Sequence, residues 1–172
     1  MPLGRELIGI PVRAAGLREP LGEVVDLCFD RRGRLRALAV LPRTGFFRKE
    51  RPIPIQRFLQ VNGEGAVLAS RDDMAGAEDG CERLVRLRTG ERALRGLLLF
   101  GPDGRELGWL GDVALEPGTL EIWGFEVSGG ALMDLLDGRS IVGAQGARAV
   151  EGGLALTDLP HMNLEPEGEA NP

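Results

Sequence analysis

Two aspartates hold matching places in a repeated segment, and they are the first candidates for chemistry in the chain. Residues 21–30, LGEVVDLCFD, return at 107–116 as LGWLGDVALE, which sets Gly22 against Gly108 and Asp26 against Asp112. A carboxylate kept at one place in both copies could act as a general acid or base, ligate a metal, or brace the backbone. The next acids, Asp30 and Glu116, stand four residues further on. On strands that spacing spans about 13 Å, too far for one metal ion or a shared proton. A buried polar side chain has to be hydrogen-bonded wherever it sits. Both aspartates are therefore expected to cap backbone N–H groups of a neighbouring turn, one brace per copy.

The rest of the inventory offers little to catalysis. Cys28 falls in an apolar strand and Cys81 between the copies, and neither has a second cysteine at ligand spacing. The single histidine, His161, lies in the C-terminal tail, whereas a zinc site takes about four ligands. Cys28 reads as a small core hydrophobe. Ser70, Ser128 and Ser140 are the only serines, and none sits in a Gly-x-Ser-x-Gly elbow. The glycine-rich stretches 101–111 and 143–153 lack the Lys-Ser/Thr pair of a phosphate loop and the strand-to-helix setting of a dinucleotide site. They read as turns. No catalytic residue, metal, cofactor or small-molecule substrate is expected.

Charge gives the sharper lead. The 172 residues carry a net charge of −5, unevenly placed. Residues 31–57 hold eight arginines and Lys49 against the single acid Glu50, a local balance of +8. Residues 101–172 hold thirteen acids against three arginines, a balance of −10. Such asymmetry speaks to partners rather than to fold. Within the basic segment, Arg43, Phe46, Phe47, Arg48, Lys49 and Arg51 mark a loop in which cations flank two adjacent phenylalanines. Neighbours on one strand cannot both face the core, so one ring is free to stand at the loop tip. A basic rim around aromatic tips suits an acidic protein, an RNA backbone with stacked bases, or an anionic membrane surface. Two blander arrangements compete with it. The phenylalanines could plug an open end of the fold, or the acidic copy could dock on the basic one.

The elements that position these residues read as strands and turns. Apolar runs are short, rich in Val, Leu and Ile, and punctuated by Gly and Pro. In the first copy Leu21, Val25, Leu27 and Phe29 share one parity, which predicts a strand with that face buried and Val24 and Cys28 on the other. Arg31-Arg32-Gly33 turns the chain into a strand that Pro42 ends. Residues 51–55, with Pro52 and Pro54, predict an edge strand. Residues 61–68 predict a hairpin in which Asn62-Gly63 supplies the positive φ angles. The second copy repeats the order, with strands expected at 84–87, 94–100, 107–115 and 120–127 and a closing segment at 150–156. It departs in a short helix over 131–137, whose Leu132, Leu135 and Leu136 cover one end of the unit. No apolar stretch is long enough to span a bilayer, no leader opens the chain, and two cysteines make no disulfide scaffold. A cytoplasmic location is the expectation.

The run Leu7-Ile8-Gly9-Ile10-Pro11-Val12, then Leu21-Gly22-Glu23-Val24-Val25-Asp26, then a turn, an apolar strand and Ile53-Pro54-Ile55, resembles the PRC-barrel domain family. That small β-barrel is shared by the cytoplasmic part of the photosynthetic reaction centre H subunit and the C-terminal part of the ribosome maturation factor RimM. The second copy keeps Leu107-Gly108 and Asp112 but has Gly111 where the first has Val25. The resemblance implies an all-β chain of two small PRC-barrel-like β-barrels in tandem, with the short helix in the second. Repeat 1 would cover 1–69, a linker 70–82, repeat 2 83–159, and an acidic tail without fixed structure 160–172. It further implies a docking platform: a non-enzymatic adaptor or assembly module that binds a protein or membrane-associated complex through the aromatic-tipped loop. The alternative is an RNA- or ribosome-associated maturation factor using the same basic face, by analogy with RimM.

Overall fold

The computed structural model describes residues 2–44, 49–75, 83–91, 93–129 and 140–157. These form an all-β arrangement of two mixed sheets. The first contains β1 (Pro11–Ala14), β2 (Gly22–Phe29), β3 (Leu35–Pro42), β4 (Arg51–Pro54), β5 (Phe58–Asn62) and β6 (Gly65–Leu68) in the order β4-β3-β2-β1-β6-β5. A short β7 (Val85–Arg86) pairs with β2. The second contains β8 (Leu98–Phe100), β9 (Glu106–Leu115), β10 (Ile122–Ser128), β11 (Ser140–Gly143), β12 (Arg148–Val150) and β13 (Gly153–Ala155). Its order, β11-β10-β9-β8-β13-β12, repeats that of the first strand for strand. Only β1 with β6 and β8 with β13 run parallel among the described strands. The sequence repeat is a repeat of topology. The helix expected over 131–137, the loop tip 45–48 and the tail from 158 lie outside the described residues.

The Leu-Gly and Asp of the repeat each have a mechanical reason. A Cβ on Gly22 would stand 2.6 Å from the Leu41 carbonyl oxygen, closer than any side chain is tolerated. Gly108 meets the same obstacle at the Gly129 carbonyl and also holds a φ of +142°, a region that glycine enters without strain. Between Val24 and Asp26 the pairing of β2 with β3 slips by one residue, and β9 slips on β10 at the matching place. Val25 and Gly111 are the extra residues of these two bulges.

A bulge reverses the side-chain alternation of the strand that carries it. That corrects the expected parity: Val24, Leu27 and Phe29 line the core, while Val25 joins Cys28, Ala37 and Ala39 in a small cluster on the other face. The hairpin at 58–68 also forms by a different device from the one expected. No positive φ occurs at Gly63. Instead the Asn62 side-chain oxygen accepts the N–H groups of Glu64 and Gly65, which closes the turn through a side chain.

Of the strand expected at 94–100, Leu98 to Phe100 forms. The strand expected at 84–87 forms only over Val85 and Arg86, and it joins the first sheet rather than the second. The exchange is reciprocal. At the chain's start Leu3 bridges Ala114 of β9, and the Pro2 carbonyl accepts the Leu115 N–H at 2.9 Å. Each copy's leading segment is thus laced onto the other copy's second strand. The turns of the two long hairpins meet as well. Ile122 N–H donates to the Gly33 carbonyl, Leu35 N–H to the Leu120 carbonyl, and Arg34 pairs with Glu121 at 2.7 Å. Gly33 and Leu120 are counterparts there, and Leu120 is the one described non-glycine residue in the left-handed region, at φ +55°. One continuous apolar cluster, from Leu7 to Leu156, runs through both sheets. Two units of this size would each bury little alone, and sharing a core answers that. Between them Arg71–Ala75 makes a tight 3-10 turn whose Met74 packs on the shared core.

Candidate functional site

Asp26 is fully buried, and the bulge aims its carboxylate at the segment arriving from the second copy. Oδ1 accepts the N–H groups of Leu27 at 2.8 Å and Arg88 at 3.0 Å. Oδ2 accepts the Thr89 N–H at 3.1 Å and the Thr89 hydroxyl at 2.7 Å. Four donors from two segments converge on one carboxylate. This is a clamp, with no lone pair left pointing into open space.

Asp112 makes corresponding bonds at the corresponding bulge. Oδ1 accepts the Val113 N–H at 2.8 Å, and Oδ2 accepts the N–H of Arg5, near the chain's start, at 3.0 Å. No threonine completes the set. The Arg5 guanidinium lies 3.4 Å from Oδ2 and donates to Glu126 Oε2 at 2.7 Å. Glu126 is itself buried and lies opposite Asp112 on β10. Burial pushes the Asp112 carboxyl up, with the Arg5 and Val113 N–H groups pulling the other way. The hydrogen bond to Glu126 holds the Arg5 guanidinium above its ordinary range.

Around this second brace the structure opens a cleft of about 520 Å³, lined among others by Arg5, Arg88, Arg95, Trp109, Gly111 and Glu126. Comparing the copies shows why it is open on this side. Gly111 replaces Val25, Glu126 stands where β3 carries Ala39, and Trp109 stands where β2 carries Glu23. Trp109 is 52% exposed. Of these residues, Asp112 alone stands out in the sequence by its type and place. The signal for the others is the departure of the second copy from the first, Val to Gly beside the motif and Glu to Trp within it.

The basic segment is not one patch. The β2–β3 turn carries Arg31, Arg32 and Arg34 to one end of β3, and the loop from Arg43 to Lys49 leaves from the other, about 25 Å away by strand rise. Arg34 is spent on Glu121, Arg36 reaches Asp30 at 3.9 Å, and Arg57 donates to the Asp73 carbonyl. Near the loop, exposed Arg43 pairs loosely with Glu19 at 3.7 Å. Glu50, the segment's one acid, is held by Arg86 of β7, whose pairing outweighs the burial that would lower its pKa. Lys49 and Arg51 are exposed and have no ion pair among the described residues. Phe46, Phe47 and Arg48 lie outside the described residues.

Among the described residues no group of three His, Cys, Asp or Glu side chains could hold a metal ion. Cys28 is a buried thiol on β2, in register with Arg86 of β7 and packed with Ala37 and Ala39. No described helix is long and apolar enough to cross a membrane. Compared with models of known protein families and with curated proteins, the chain matches none.

Proposed function

We propose that the protein is a non-enzymatic contact module, an adaptor that docks an acidic protein surface on the edge of its first sheet at Arg43, Lys49 and Arg51. The observation that carries this reading is the charge of Lys49 and Arg51, uncompensated among the described residues, at the start of edge strand β4 and beside an acid already claimed by Arg86. Pro52 and Pro54 keep that edge from adding another strand, so recognition there runs through side chains. The equal strand order of the sheets supports a pair of PRC-barrel-like units, laced into one rigid platform. Such a platform loses little entropy on docking, which favours a binding role. We place it in the cytoplasm, without a cofactor.

The test is a photo-crosslinking residue in place of the exposed, uncharged Thr44, which spares the three cations, used in native lysate and followed by titration of the purified captured protein. Charge reversal at Lys49 and Arg51 should weaken that complex at least about tenfold and flatten its salt dependence. Structured RNA is assayed in parallel by filter binding across a salt series. Retention of RNA, lost on the same reversal, would replace the protein partner with RNA. Indifference of both assays to the reversal would end the proposal.

A further inference from the structure

The cleft over Asp112 shares no residue with the docking edge, and its walls carry the chemistry of a small-ligand site. We infer that it binds a mononucleotide, with the base against Trp109 and the phosphate between Arg88 and Arg95. Trp109 exposes half of its surface on a strand whose neighbours Gly108 and Leu110 are buried. The repeat does not demand an indole there, since the first copy has Glu23. An exposed indole face beside a cleft is a stacking platform for a planar ring. Arg88 and Arg95 line the same cleft, are exposed, and have no ion pair among the described residues. Two guanidinium forks on one rim match the oxygens of a phosphate. Arg5 is not available for that purpose, because Asp112 and Glu126 hold it in place. The acids thus lie deep and engaged while the cations at the rim are open to a ligand, which sorts an anion to the mouth.

Size and origin agree with this assignment. The cleft volume, about 520 Å³, lies within the range of roughly 300–1,000 Å³ usual for small-molecule sites. Gly111 keeps it open, and its backbone does not require glycine: its φ is not positive, and a Cβ there would meet the Ser128 hydroxyl at 3.3 Å. Val25 occupies the same bulge position in the first copy. A side chain at 111 would stand against Ser128, which has to give by a few tenths of an ångström, and would narrow the cleft at that wall.

Trp123→Phe leaves Trp109 as the sole tryptophan and reports on the cleft directly. AMP, GMP, CMP, UMP and inorganic phosphate are titrated against its fluorescence. At least one nucleotide should quench saturably, and Arg88→Ala and Arg95→Ala should each weaken it about tenfold. Gly111→Val, which narrows the cleft beside Ser128, should weaken binding at least about tenfold with the far-UV circular dichroism unchanged. Should that variant fail to fold, Trp109→Ala followed by calorimetry tests the same contact, with loss of binding expected. Three outcomes overturn the assignment: no response to any nucleotide at millimolar concentration, phosphate competing as well as the nucleotide, or indifference to both arginine variants.

Discussion

Asp26 and Asp112 occupy the same bulge of the same strand in two sheets of the same order, yet one is a sealed clamp and the other the floor of a cleft. At Asp26 the arriving segment brings Thr89, whose N–H and hydroxyl saturate the second oxygen. At Asp112 the arriving segment brings Arg5, which satisfies the oxygen by its backbone and sends its guanidinium on to Glu126. Val25 and Ala39 fill the space beside the first brace; Gly111 and Glu126 stand beside the second. The motif secures the bulge and the capture of a backbone N–H. What surrounds the carboxylate is free to diverge.

That contrast can be broken by experiment. Asp26→Ala deprives four donors of a fully buried carboxylate, the Leu27 N–H buried and the three from Arg88 and Thr89 part-buried, and should cost about 3–5 kcal/mol in urea unfolding, whereas Asp112→Ala, with fewer donors and a solvent-facing guanidinium, should cost about 1–3 kcal/mol. Equal losses would mean the two braces bear equal weight. Thr89→Val keeps the shape but removes the hydroxyl from Asp26, and should cost about 1–2 kcal/mol by the same measurement. The second brace has no hydroxyl counterpart to remove, since Arg5 meets the same oxygen through its backbone N–H and its guanidinium.

Titration sharpens the comparison further. Burial lifts the Asp112 carboxyl above its ordinary 3.8, so the folded chain holds that proton more tightly than the unfolded chain does. The stabilisation from this group is fully present below the unfolded value and is lost as pH rises through the folded one. Measured against Asp112→Asn in a series of urea midpoints, wild type should lose relative stability as pH climbs from below 3.8 through the raised value. A difference that grows with pH would contradict the burial of that carboxyl. The smallest effect belongs to the exposed Arg34–Glu121 pair between the hairpin turns. Single reversals there should cost about 0.2–1 kcal/mol, with the double reversal restoring most of it.

Much of the fold was legible because strands and turns are local events. The duplication, the short apolar runs, the hairpin at Asn62 and the edge strand with its two prolines all follow from residue type and spacing. The parity of β2 was not legible. A bulge adds one residue without any signature beyond Val25-Asp26 itself, and period-2 reasoning runs straight through it. Residue type fails at β7 as well, since Val85 and Arg86 carry no mark of which sheet they will join. The +8 segment misled by proximity in sequence: a strand separates what neighbouring numbers bring together. Trp109 and Gly111 were visible as departures between the copies, but a departure acquires meaning only when the walls around it are known.

The sequence alone determined the repeated succession of strands and turns and the matched glycine and aspartate positions, because the backbone crowding that demands Gly22 and Gly108 acts within a hairpin. Tertiary structure alone decided which donors reach each carboxylate. Thr89 lies 63 residues from Asp26, and Arg5 lies 107 from Asp112. Contacts over such separations depend on how the two copies exchange their leading segments, and no local propensity encodes that.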